Sequence, residues 1–183
     1  MITWIIIAIV AVIVAATFFL YYNRFVTLSQ QIDNALSQID VQLRKRSDLI
    51  PNLLSAVKGY MKHERAAIKE VTDARKAMMS AKGTEKKMKA GNQMQEALKS
   101  IFAIAEGYPD LKANTNFLQL QQELSAIEDK VAYARQFYND GIMIYNVMTK
   151  TIPGKWFASM YSFKEREYLK IPEAAKAVPK VEF

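Results

Sequence analysis

The sequence predicts an all-α protein: a single N-terminal transmembrane helix that continues into a bundle of four long helices. Three observations predict this fold. From Met1 to Tyr22 there is no charge, no Gly and no Pro, and only Thr3 and Thr17 interrupt a run of Ile, Val, Ala, Leu, Trp, Phe and Tyr. Beyond it, apolar residues recur at alternating spacings of three and four, the period of a helix face. Only 6 Gly and 5 Pro are spread over 183 residues, so turns are few and elements long.

The first run supplies the roughly 20 residues that a bilayer-spanning helix needs at ~1.5 Å each. It lacks the basic start of a cleaved signal peptide, and its end is aromatic rather than small, so it is read as a retained anchor over residues 1–23. Trp4 near one end and Tyr21 and Tyr22 near the other suit the two interfaces. Ala8, Ala11 and Ala15 share one face, where small residues let helices approach closely. All 25 Lys and Arg follow the anchor, beginning with Arg24 and the cluster Arg44-Lys45-Arg46. That asymmetry favours a cytoplasmic C-terminal domain. The net charge of +7 and a pI near 9.5 suit an anionic membrane surface.

Residues 24–152 are expected to form the bundle, and 153–183 an aromatic C-terminal segment and tail. No Gly or Pro precedes Pro51, so the anchor should run straight into the first soluble helix, with Phe25, Ile32, Leu36, Ile39, Leu43 and Ile50 inward. Pro51 removes an N–H and crowds the carbonyl of Ser47, which predicts a kink or break, a hinge, with Asp48 placed to cap a new start. The second helix is then expected to run from Leu54 to Met78, with Glu64 and Arg75 as polar members of its seam. Residues 80–92, lysine-rich with two Gly, read as a mobile loop. A third helix follows, with Met94, Leu98, Ile101, Phe102 and Ala105 inward, and stops near Gly107-Tyr108-Pro109-Asp110. Asn114 or Asn116 caps the fourth, whose seam runs Phe117, Leu120, Leu124, Ile127, Val131, Ala134, Tyr138, Gly141, Tyr145, Met148. Its unbroken three-four spacing calls for a coiled-coil-like contact or a bundle face. Pro153-Gly154 ends it. The aromatics Trp156, Phe157, Tyr161 and Phe163 then either cover the open end of the bundle, the reading preferred, or touch lipid headgroups.

Several motifs, met in order, resemble the LemA family. They are the stretch from Asn34-Ala35-Leu36-Ser37-Gln38-Ile39-Asp40 to Ile50-Pro51-Asn52-Leu53-Leu54, then Val57-Lys58-Gly59-Tyr60 and His63-Glu64. Tyr108-Pro109-Asp110-Leu111-Lys112-Ala113-Asn114, Gln121-Gln122-Glu123-Leu124, Glu128, Ala134-Arg135-Gln136-Phe137-Tyr138-Asn139 and Tyr145-Asn146 continue the likeness over nearly the whole chain. The resemblance implies a protein of the bacterial inner membrane with an antiparallel helical bundle. It implies no established reaction, and only a loose link to envelope and membrane organisation.

The residues themselves offer little chemistry. There is no Cys, hence no disulfide, thiolate nucleophile or Cys-ligated metal. A di-iron bundle needs two Glu-x-x-His pairs, and His63 is the only His, in a charged run that reads as surface. No phosphate-binding glycine loop occurs, and the basic residues form no stripe interleaved with stacking aromatics, which argues against nucleic acid. No cofactor and no enzymatic role are expected. Glu64 and Arg75 are expected to pair structurally with the fourth helix, where Glu128, Arg135 and Asn139 lie near the seam. The reading of function is a membrane-anchored, self-associating scaffold whose partners are the bilayer, further copies of itself and other membrane proteins. The alternative is an accessory protein that senses a ligand or partner and signals through the anchor, with Pro51 as hinge.

Overall fold

A computed structural model of the protein describes residues 1–169, and these are helical with no strand among them. The elements are α1 (Ile2–Lys58), α2 (Arg65–Ser80), α3 (Thr84–Ala105), α4 (Pro109–Lys112), α5 (Thr115–Lys150) and α6 (Gly154–Met160). Their contacts form two compact units. Unit 1 holds Met1–Leu36 with Arg135–Leu169, and unit 2, among the described residues, holds Ser37–Ala134. The end of the expected tail, residues 170–183, lies outside the described residues.

Unit 2 is a four-helix bundle made from the second half of α1, α2, α3 and the first half of α5. Short connections fold each helix back on the one before it, so neighbours run antiparallel. Ile39, Leu43 and Ile50 of α1 are buried, as the spacing predicts, and so are Leu53 and Val57. Ile50, Leu53 and Val57 meet Val71 of α2, Met94, Leu98 and Ile101 of α3, Leu111 of α4, and Phe117 and Leu124 of α5 in one core. Asn114 caps α5, its Oδ1 accepting the N–H groups of Asn116 and Phe117 at 3.0 and 3.1 Å.

Three expectations need correction here. First, α1 does not break at Pro51 but continues to Lys58, with Asp48 inside it. Pro51 cannot donate to the Ser47 carbonyl, and that carbonyl instead accepts a hydrogen bond from Arg75 Nε at 3.0 Å. The orphan that would favour a break has a partner on α2. Second, the helix expected from Leu54 to Met78 is two helices. Gly59 follows the last turn of α1, the N–H groups of Tyr60 and Met61 close back onto the Val57 carbonyl, and α2 starts only at Arg65. Met61 still fills the core from within this turn, which is why the spacing looked unbroken. Third, residues 84–92 are the start of α3, not a loop. Gly83, with φ of 82°, makes the turn, and Met88, Ala90 and Gly91 are buried while the lysines lie outside them. Arg46, in the basic cluster that follows the anchor, is buried.

Unit 1 pairs the first part of α1 with the last part of α5. Phe25, Leu28 and Ile32 are buried against Ile142 and Tyr145. Gly141 faces Ile32 so closely that a Cβ there would stand 3.0 Å from its side chain. Before Phe25 the helix has no buried residue, and its most apolar 18-residue window has a mean hydropathy of 2.8 with none of it buried. In water such a surface would be costly, and by length and composition it can cross a membrane.

Candidate functional site

The polar groups singled out in the sequence do not converge on a pocket. In unit 2, Tyr108 donates a hydrogen bond to Glu64 Oε1 at 3.0 Å. That bond raises the Tyr108 phenol above its usual pKa, and burial and the Glu64 charge act in the same direction. Glu64, just before α2, is thus tied to Tyr108 in the turn between α3 and α4. Arg75 of α2 serves the Ser47 carbonyl of α1. Glu128 accepts from Gln95 of α3, and Lys87 pairs with Asp40 of α1. Arg135 is half-buried on α5 and is engaged there. His63 is exposed, and among the described residues no group of His, Cys, Asp or Glu could hold a metal ion.

A dense set of specific contacts lies in unit 1, where the chain after α6 is strapped across α1 and α5. Ser162, with φ of 58°, turns the chain, and the Phe163 N–H returns to the Ala158 carbonyl at 2.9 Å. Residues 163–169 then have no regular secondary structure of their own. Their backbone groups are met by two amides of α5. Asn146 accepts the Arg166 N–H and donates to the Arg166 carbonyl, both at 2.9 Å. Asn139 does the same for Leu169, at 2.9 and 3.4 Å. Seven residues of helix advance roughly 10.5 Å, and three extended residues about 10 Å, so the two clamps match the two repeats. The strap runs antiparallel to α5.

One side chain of the strap is fixed as well. The Arg166 guanidinium donates to Asp33 at 2.8 Å and to the Ser29 hydroxyl, and it lies 5.3 Å from the centroid of the Tyr145 ring. Burial raises the Tyr145 and Tyr138 phenols above their usual pKa, and the Arg166 charge opposes the rise at both. Phe163 stacks on Phe25 at 4.9 Å. Ahead of it, Phe157 stacks on Tyr21 at 5.2 Å, and Tyr161 meets Phe18 and Tyr22. Three of the C-terminal aromatics thus pack on residues 18–25 of α1, while Trp156 points outward.

This arrangement has no nucleophile or acid-base pair aimed at a common point. It recognises chain: the amides read backbone, the arginine site one charge, and the Phe25 face one ring. Asn139 was singled out in the sequence, but Asn146 and Arg166 were not placed in the site. The signal was the dipeptide Tyr-Asn repeated seven residues apart, at Tyr138-Asn139 and Tyr145-Asn146. Asn146→Ala is expected to free the strap locally, at a cost of about 1–2 kcal/mol, because the released groups of Arg166 can reach water. Limited trypsin digestion of the full chain should then cut after Arg166 faster than in the unsubstituted protein, while cleavage within unit 2 stays unchanged.

Helices throughout the described chain, an uncovered apolar first helix, and polar groups that hold chain to chain define a membrane-associated helical-bundle protein. The chain belongs to the LemA family, whose sequence profile matches residues 35–183. It is also similar to Magnetosome protein MamQ 2 of Paramagnetospirillum magneticum, 25% identical, over 84% of this chain and 66% of that protein. Magnetosome protein MamQ of Magnetospirillum gryphiswaldense is 25% identical over 83% of this chain and 65% of its own length. Protein LemA of Metamycoplasma hominis is 26% identical over 64% of this chain and 54% of its own. The chain therefore spans less than two thirds of each of these relatives.

Proposed function

We propose that the protein is a membrane-anchored helical scaffold that self-associates and organises or shapes the bilayer carrying it. The observation that carries this reading is the outer face of α5. Phe137, Ile144 and Val147, 58%, 39% and 52% exposed, recur at helical spacing with Met143 beside them, opposite the seam buried against α1. An apolar stripe on a helix that is already packed on its other side suits a second copy of the same chain. The magnetosome relatives support a membrane-associated role. The Lys and Arg bias after the anchor supports a bacterial inner membrane with the helical units on the cytoplasmic side.

Full-length protein in lipid nanodiscs or mild detergent is expected to form oligomers larger than a dimer by light scattering. The triple variant Phe137→Glu, Ile144→Glu, Val147→Glu should shift it towards monomer at unchanged helicity, and removal of residues 1–23 should weaken assembly further if the Ala8, Ala11, Ala15 face contributes. A parent protein that is monomeric in several detergents and in lipid sinks the reading. The sensor alternative has less support, since α1 continues through Pro51, its intended hinge.

A further inference from the structure

The outward face of α6 is apolar, and the element that holds α6 fixes where that face must lie. Gly154 and Ala158 are buried, and Phe157 and Tyr161 pack on Phe18, Tyr21 and Tyr22 of α1. Gly154 makes the contact possible: a Cβ there would overlap the Met148 carbonyl oxygen and stand 3.5 Å from Tyr21. The helix is thus fastened to the last turn and a half of the charge-free stretch, which ends at Tyr22, two residues before Arg24. Trp156 and Met160 are one turn apart on its outer side, 64% and 58% exposed, with Ile152, 69% exposed, just ahead of the helix. Lys155 is exposed beside them.

We infer that α6 is a second membrane contact: Ile152, Trp156 and Met160 enter the headgroup–acyl boundary beside the exit of α1, and Lys155 meets lipid phosphate. Residues 18–22 span ~6 Å along the helix axis at the end of an apolar segment just long enough to cross. A group fastened to them stands at the level of the headgroups, where water is scarce and an indole is favoured over either bulk phase. Left in water, the same three side chains would form an apolar patch that none of the described residues covers. Lys155 adds attraction to anionic lipid. The consequence is mechanical. The anchor end of α1 is gripped at the interface by a second element of the same unit, so its depth is set by α6 as well as by its own length.

The inference rests on α1 being a membrane span, and the two tryptophans test the two statements separately. Trp4 and Trp156 are the only tryptophans in the chain. Full-length Trp4→Phe and Trp156→Phe variants are reconstituted in phosphatidylcholine–phosphatidylglycerol nanodiscs, with bromine placed either near the headgroup or near the chain end. In Trp4→Phe, the remaining Trp156 emission is expected to be roughly halved by bromine near the headgroup and affected less by bromine at the chain end, as for an interfacial indole. Its maximum should lie blue of indole in water. Unquenched, water-like Trp156 emission while Trp4 is quenched in the companion variant overturns the α6 contact and leaves the span standing. If neither tryptophan is quenched, the span fails and the α6 contact with it. Quenching of Trp156 that persists in nanodiscs of Trp4→Phe carrying Phe157→Ala and Tyr161→Ala also overturns the role given to the α1 grip.

Discussion

Phe25→Ala is expected to destabilise unit 1 by about 3–5 kcal/mol, the largest effect of a single substitution in that unit. Phe25 is fully buried where three segments of chain meet. It meets the Tyr145 ring of α5 edge-on at 5.5 Å and stacks on Phe163 of the strap at 4.9 Å, beside Leu28, Ile32 and Ala158. Each aromatic pair adds roughly 0.5–1.5 kcal/mol beyond the area it buries. The cavity cannot close cheaply, because its walls belong to α1, α5 and a strap whose backbone is already clamped at Arg166. Hydrogen exchange read peptide by peptide on the full chain is the suitable measurement, since a single melting curve would merge the two units. Amides of residues 20–36 and 138–150 should exchange faster, while the core around Ile101 and Leu124 stays protected. Phe25→Leu should recover much of the loss. Phe137→Ala, on the exposed face of the same pair of helices, should move these rates little.

How far the sequence could be read depended on whether the decisive partner was local. The helices themselves were legible, because each buries one face and the spacing of α5 from Phe117 to Met148 records that face directly. The anchor was legible for the opposite reason, having no polar face at all. The turn at residues 59–64 was not, because Met61 goes on filling the core after the helix has ended, so the apolar spacing outlives the helix that it normally reports. Gly59 carried the signal that was passed over. The start of α3 was hidden by composition: three lysines before Ala90 suggest a solvated loop, whereas Met88, Gly91 and Met94 mark the buried side of a helix. The strap had the least readable order. Lys164-Glu165-Arg166-Glu167 is as polar as any surface segment, and what orders it is a pair of asparagines that lie before it in the chain, spaced by two turns of another element. The site residues Glu64 and Arg75 were recognised as unusual, but their partners lay on segments that a helix-by-helix reading could not bring together.

Arg75 shows the physics of that failure, and it leads to the second large effect. Arg75→Ala is expected to destabilise unit 2 by about 2–3 kcal/mol, since it leaves a buried carbonyl without a donor and removes a charge-assisted hydrogen bond. The carbonyl in question is that of Ser47, a buried residue, and its ordinary donor would be the N–H of residue 51. Proline has none. A proline in a helix interior is disfavoured by about 3 kcal/mol, in part for this missing bond and in part for the clash of its ring with the same carbonyl. Tilting the carbonyl outward relieves the clash and turns it towards a donor outside its own helix, which Arg75 provides. The two residues should therefore be energetically coupled although they stand 24 positions apart in sequence. In a Pro51→Ala background the helix regains its own N–H donor, and Arg75→Ala should then cost less by about 1 kcal/mol or more, within the range found for neighbours in one network. A double-mutant cycle in urea, read by helical ellipticity of the full chain in detergent, measures that coupling. Equal costs in the two backgrounds would mean that the guanidinium is held there for packing alone, and the continuity of α1 through Pro51 would need another cause. Arg75→Lys separates the remaining possibilities: it keeps the charge and much of the stem but loses the planar Nε–H donor, so a carbonyl-satisfying role predicts incomplete rescue, and a role in net charge predicts full rescue.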